Sequence, residues 1–213
     1  MKKRKVGIMG GTFDPIHVGH LILGESAYEQ FGLEEVLFMP SGNPPHKKNR
    51  EGRATLQERI EMVRLAIEGN LHFTLSLEEA HENGYTYTKE TLTRLTREHP
   101  DTEYYFIMGA DSLLSFEKWR EPEEISKLAS LVVAVRDGID DTELDCKIAQ
   151  VKEHFAADIY KLTTPNMDVS SKMLRRRIAG GQTVRYYLPD TVLQYIRKKQ
   201  LYQNAEQAFP SDL

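Results

Sequence analysis

Apolar residues recur along this chain with two alternating periods. Short runs of adjacent apolar residues, of strand length, appear at 5–9, 36–39 (stopped by Pro40), 73–77, 103–108, 131–135 and 159–162. Between them apolar positions fall three and four apart, as on one face of a helix. The first helical stretch covers 18–30 and is closed by Gly32 as a C-cap. Leu56, Ile60, Val63 and Ile67 mark a second over 54–68. A third covers 88–98, with Thr88 placed to cap it. Two more, 170–178 and 189–199, follow the last strand, the latter with Pro189 near its first turn. Strands alternating with helices at this spacing predict an α/β fold: a mostly parallel sheet with helices on both faces. Ligands of such folds collect at the carboxyl ends of the strands. The residues just after each strand are therefore where chemistry is sought.

Composition narrows the picture. With 40% hydrophobic and 28% charged residues over 213 positions, the chain suits one large domain, or one domain with a small appendage. That domain is expected over 1–202, including a small C-terminal helical part over 165–202, with 203–213 as a tail. The net charge of −4 counts against a nucleic-acid binder held by phosphate neutralisation. Cys146 is the only cysteine, in a polar, helix-like stretch, so no internal disulfide forms and a reducing compartment is favoured. No run approaches the roughly 20 apolar residues of a membrane span, and the short run after the basic start at 2–5 is broken by glycine. A cytoplasmic protein with no membrane partner is expected. The aromatic stretch 186–188 suits core better than a contact between copies, and leaves a homodimer open.

The segment after the first strand reads Gly10-Gly11-Thr12-Phe13-Asp14-Pro15-Ile16-His17-Val18-Gly19-His20. Paired glycines let backbone N–H groups approach an anion, and the following helix start favours negative charge. His17 and His20, three apart, are expected on one helical face, and Gly19 between them leaves room for a ligand against the helix. Two imidazoles there can donate to phosphoryl oxygens and stabilise developing charge. A surface helix with incidental histidines is the simpler account of a lone His, but not of the whole string. The spacing is neither that of a P-loop nor that of a dinucleotide fingerprint.

This string, with its His-x-Gly-His ending, resembles the signature of the nucleotidylyltransferase superfamily, which has a Rossmann-like fold. Later segments resemble one branch of it, the bacterial nicotinate-nucleotide adenylyltransferases. Pro44-Pro45-His46-Lys47 matches a loop that lies over the active site there. Thr86-Tyr87-Thr88 and Trp119 match the residues that meet the pyridine ring, with Thr86 for the usual Ser and Glu90 for the usual Asp. Ser170-Ser171-Lys172 and Arg175 match the second signature, with Lys172 for the usual Thr. The resemblance covers residues 5–202.

What it implies is adenylyl transfer from ATP to nicotinate mononucleotide, giving deamido-NAD and pyrophosphate. His17, His20 and Arg175 would be catalytic. Gly10, Gly11, Thr12, Phe13, Gly19, Gly109, Asp111, Ser170 and Ser171 would bind ATP. His46, Lys47, Tyr87, Thr88 and Trp119 would bind the mononucleotide. The residues themselves leave room for structural accounts: Asp111 suits a helix N-cap, and Arg176 and Arg177 suit a solvated face. No ligand spacing for a protein-held metal is present, so Mg²⁺ would ride on the ATP phosphates. Three alternatives stand beside this reading. They are another acceptor, nicotinamide mononucleotide or phosphopantetheine; a non-catalytic nucleotide sensor; and a nucleic-acid module built on the basic clusters.

Overall fold

The structure, a computed structural model, describes residues 3–43, 52–81, 85–134, 141–165 and 167–203. Six strands make one sheet: β1 (Arg4–Gly11), β2 (Glu35–Pro40), β3 (Phe73–Leu75), β4 (Thr102–Gly109), β5 (Ala129–Ala134) and β6 (Ile159–Leu162). Their order is β3-β2-β1-β4-β5-β6 and every pairing is parallel. The helices are α1 (Val18–Phe31), α2 (Leu56–Ile67), α3 (Thr88–Glu98), α4 (Ala110–Leu114), α5 (Pro122–Leu128), α6 (Asp141–Phe155), α7 (Ser171–Ala179) and α8 (Asp190–Lys198). The parallel α/β sheet expected from the alternation is present, with the Rossmann-like architecture that the resemblance implies. Among the described residues no helix is long and apolar enough to cross a membrane.

The pleat explains the continuous apolar runs. Met9, Val36, Phe38, Tyr105, Ile107, Val132 and Ala134 point into one core with residues of α1, α2, α7 and α8. Val6, Ile8, Met39, Tyr104, Phe106, Met108, Leu131 and Val133 point into a second with α3, α4, α5 and α6. Successive side chains alternate faces, so a strand covered on both sides is apolar throughout. Helices α7 and α8 share the first core through Leu174, Val192, Leu193 and Ile196.

Several details differ from the pattern. β3 ends at Leu75; Ser76 N still donates to Phe38 O at 2.9 Å, and the chain then turns, Ala80 N donating to Leu77 O at 2.9 Å. Tyr87, not Thr88, caps α3, and Thr88 is its first residue. Gly109, not Asp111, caps α4, because β4 runs straight into the helix and leaves no linker. α4 and α5 are too short for a periodic signal, and Cys146 lies exposed on α6. Val135 lies outside the described residues.

The strand order reverses between β1 and β4. Connections leave these neighbours toward opposite halves of the sheet, so their carboxyl ends stand apart and form a crevice.

Candidate active site

That crevice is a cavity of about 930 Å³. Gly10, Gly11, Thr12 and Phe13 line it from the end of β1. A Cβ on Gly11 would lie 3.1 Å from the buried Phe13 ring, so a side chain there would crowd the turn. His17 is the N-cap of α1, with extended backbone (φ −147°), rather than a member of its helical face. The two imidazoles still meet, with ring centroids 3.7 Å apart. The His17 backbone N–H donates to Nδ1 of His20 at 3.2 Å. In a neutral His20 ring that puts the proton on Nε2. Phe13 packs its ring edge-on to His20 at 5.1 Å.

Gly19 does not line this cavity. A Cβ there would sit 3.0 Å from Nδ1 of His17, so the glycine makes room for that ring rather than for a ligand.

The start of α7 closes on the same turn. Ser170 caps the helix, its Oγ accepting from Met173 N at 3.2 Å, which leaves its O–H to donate elsewhere. Ser171 Oγ donates to Pro15 O at 2.8 Å, so its contribution to an anion is its backbone N–H in the first turn. Arg175 Nη1 donates to Asp14 O at 2.6 Å and lies 3.7 Å from Asp14 Oδ2. Burial pushes the guanidinium below its usual range, and Asp14 opposes that shift. Ser170, Ser171 and Arg175 thus line one cavity with His17 and His20.

From the end of β4 and the first turn of α4, Gly109 and Asp111 line the cavity, with open space where a Gly109 side chain would be. Tyr87, Thr88 and Trp119 join them. Trp119 is half-buried, edge-on to Phe106 at 6.0 Å and tilted against Phe116 at 5.6 Å, which holds the indole at the wall. The Thr86 hydroxyl is buried there and makes no hydrogen bond among the described residues. His46 and Lys47 lie outside the described residues.

Sequence reasoning missed several members. Arg53, Lys118, Arg120 and Lys172 line the cavity, so five Lys or Arg face three Asp or Glu, namely Asp14, Glu79 and Asp111. A chain of net charge −4 has gathered cations at one point. Buried Arg59 on α2 ties the strand ends together, donating to Thr12 O at 2.7 Å, Ser41 O at 2.8 Å and Gly42 O at 3.4 Å. Lys172 could have been found, because it stands inside the second motif. Arg53 and Arg59 carried no local signal.

The Cytidylyltransferase-like family model matches residues 8–177. The chain is 49% identical over 199 residues to the probable nicotinate-nucleotide adenylyltransferase of Lachnoclostridium phytofermentans, covering 93% of this chain and 99% of that one. It is 38% identical over 207 residues to the one from Thermoanaerobacter sp., covering 97% and 98%. Among solved structures, Plasmodium falciparum nicotinic acid mononucleotide adenylyltransferase complexed with NaAD matches with a TM-score of 0.78. The match is at 19% identity, over 95% of this chain and 99% of that one, and bears on the fold.

Proposed function

The chain belongs to the nicotinate-nucleotide adenylyltransferases of the cytidylyltransferase-like family, and from that membership we propose that its cavity joins the adenylyl group of ATP to the phosphate of nicotinate mononucleotide. One observation carries the assignment of residues. The same cavity is lined by His17, His20 and Arg175, suited to phosphates, and by Thr86, Tyr87, Thr88 and Trp119, suited to a flat polar ring.

In this reading an oxygen of the mononucleotide's 5′-phosphate attacks the α-phosphorus of ATP. A P–O bond forms there as the bond to the β-phosphate breaks, and pyrophosphate leaves with the electron pair. The nucleophile is already ionised, so no strong general base is needed. Catalysis rests on alignment and on charge stabilisation. His20 presents Nε2–H to the α-phosphate beside His17, and Gly10, Gly11 and Thr12 hold the phosphates. Arg175, Ser170 and the Ser171 N–H grip the leaving end. Lys172, replacing a hydroxyl with a cation in that first turn, adds charge at the same end.

Mg²⁺ enters as part of the substrate, MgATP. The excess of cations in the lining supports nicotinate, which carries a carboxylate, over nicotinamide, which does not. The test offers both mononucleotides with MgATP and follows pyrophosphate. Turnover with the nicotinate form well above that with the nicotinamide form is expected, and equal use of both would sink the specificity.

A further inference from the structure

We propose that Tyr202 is a positioning residue for this reaction: its hydroxyl holds the Asp14 carboxylate away from Arg175, keeping that guanidinium for the phosphates. The proposal rests on the functional reading above. Tyr202 lies beyond α8, where Leu201 N donates to Ile196 O at 3.0 Å and the chain folds back on the sheet. Its ring belongs to the core shared by β1, α2, α7 and α8, and only 8% of the residue is exposed. Its φ of 64° is the left-handed region that a bulky side chain seldom adopts. A hydroxyl in such a core is costly without a partner. Here the partner is Asp14, whose Oδ1 accepts from Tyr202 OH at 2.7 Å and from Ala54 N at 3.2 Å.

Those two donors set the plane of the Asp14 carboxylate. Among the described residues its other oxygen, Oδ2, makes no hydrogen bond, and it stands 3.7 Å from Nη1 of Arg175, too far for one. The terminal torsion of an aspartate is soft. Without the Tyr202 donor the carboxylate can turn and close on the guanidinium, as a forked ion pair favours. Arg175 would then be spent on Asp14 instead of the leaving pyrophosphate. Phenylalanine would fill the core equally well, so packing alone does not call for the hydroxyl.

The groups facing Tyr202 are Asp14, Arg175 and Arg59, and burial beside Asp14 keeps the phenol protonated well above its usual range. It is therefore a donor at neutral pH.

The experiment is a double-mutant cycle read by initial rates with MgATP and nicotinate mononucleotide. Tyr202→Phe should lower kcat/KM for ATP roughly tenfold, the size of coupling contacting residues show, while KM for the mononucleotide stays put. In an Arg175→Lys background the same substitution should change kcat/KM less than about twofold. An unaltered Tyr202→Phe enzyme, or equal losses in both backgrounds, overturns the proposal. If Tyr202→Phe fails to fold, 3-fluorotyrosine placed at 202 keeps the ring and makes the hydroxyl more acidic. That stronger donor still fixes the Asp14 carboxylate, so kcat/KM for ATP should stay within about twofold of wild type, and a roughly tenfold loss overturns the proposal equally. Wild-type turnover is measured first: its absence would refute the functional reading, whereas its presence with a failed cycle refutes only the role of Tyr202.

Discussion

His20 receives a backbone hydrogen bond on Nδ1, so Nε2 is the ring's donor, and donors aimed at developing charge carry large effects. His20→Ala is expected to cut kcat about 10²–10³-fold while ATP affinity, measured by calorimetry, changes little. Near-normal turnover would remove His20 from the mechanism. Glu79 makes a different residue-scale prediction. Burial raises its carboxyl pKa, against the hydrogen bond that Thr91 Oγ1 donates to Oε1 at 2.9 Å. A folded-state pKa above the unfolded one means the native protein holds the proton longer. Stability is then present below the ordinary carboxylate range and lost as pH rises through the raised pKa. Glu79→Gln keeps an acceptor for Thr91 and removes the charge. Its Tm should exceed wild type by more at about pH 8 than at about pH 5, by roughly 2–4 °C for each kcal/mol gained in a chain this size. A gain independent of pH would contradict the assignment.

Helix α1 holds two glycines whose substitutions should separate function from stability. Alanine at Gly19 gains about 1 kcal/mol of helix propensity, yet its Cβ would press on Nδ1 of His17 at 3.0 Å. Gly19→Ala should therefore keep or raise Tm and lower kcat. Alanine at Gly24 would lie 2.9 Å from Phe73 Cζ and 3.0 Å from Phe38 Cζ, two rings locked together in the core with centroids 4.7 Å apart. Gly24→Ala should lose about 1–3 kcal/mol by overpacking, seen in denaturant melts, and keep kcat per folded molecule. Full kcat in Gly19→Ala would show that the His17 ring can yield. Elements of this length were mostly legible in the sequence. The inner strands β1, β2, β4 and β5 were visible because both faces are mostly buried, and α2 because Leu56, Ile60, Val63 and Ile67 repeat over three turns. α4, α5 and α6 were not marked as helices: five and seven residues hold too little of a helical period, and the polar α6 showed only as a helix-like stretch around Cys146. The caps of α3 and α4 were misplaced by one and two residues because good capping residues, Thr88 and Asp111, stand just inside the helices.

At the scale of the molecule, both ends of the chain supply the cavity, and α7 and α8 have no core apart from the sheet's. Calorimetry should show a single unfolding transition; two resolved transitions would mean that the C-terminal part folds separately. Local strings such as Gly10-Gly11-Thr12 and Ser170-Ser171, which line the cavity, announced themselves in sequence because each is a contiguous motif. Arg53, Arg59, Asp14 and Tyr202 did not, because their roles come from neighbours brought by the fold. Tyr202 meets Asp14 across 188 positions, a separation no periodicity records. The contacts of Ser171 with Pro15 and of Arg175 with Asp14 span 156 and 161 positions. On the ribosome the histidine turn emerges early and waits for most of translation before its serine–arginine counterpart arrives. Under the proposed function, a chain terminated before residue 170 lacks Ser170, Ser171 and Arg175, and with them its hold on the leaving pyrophosphate.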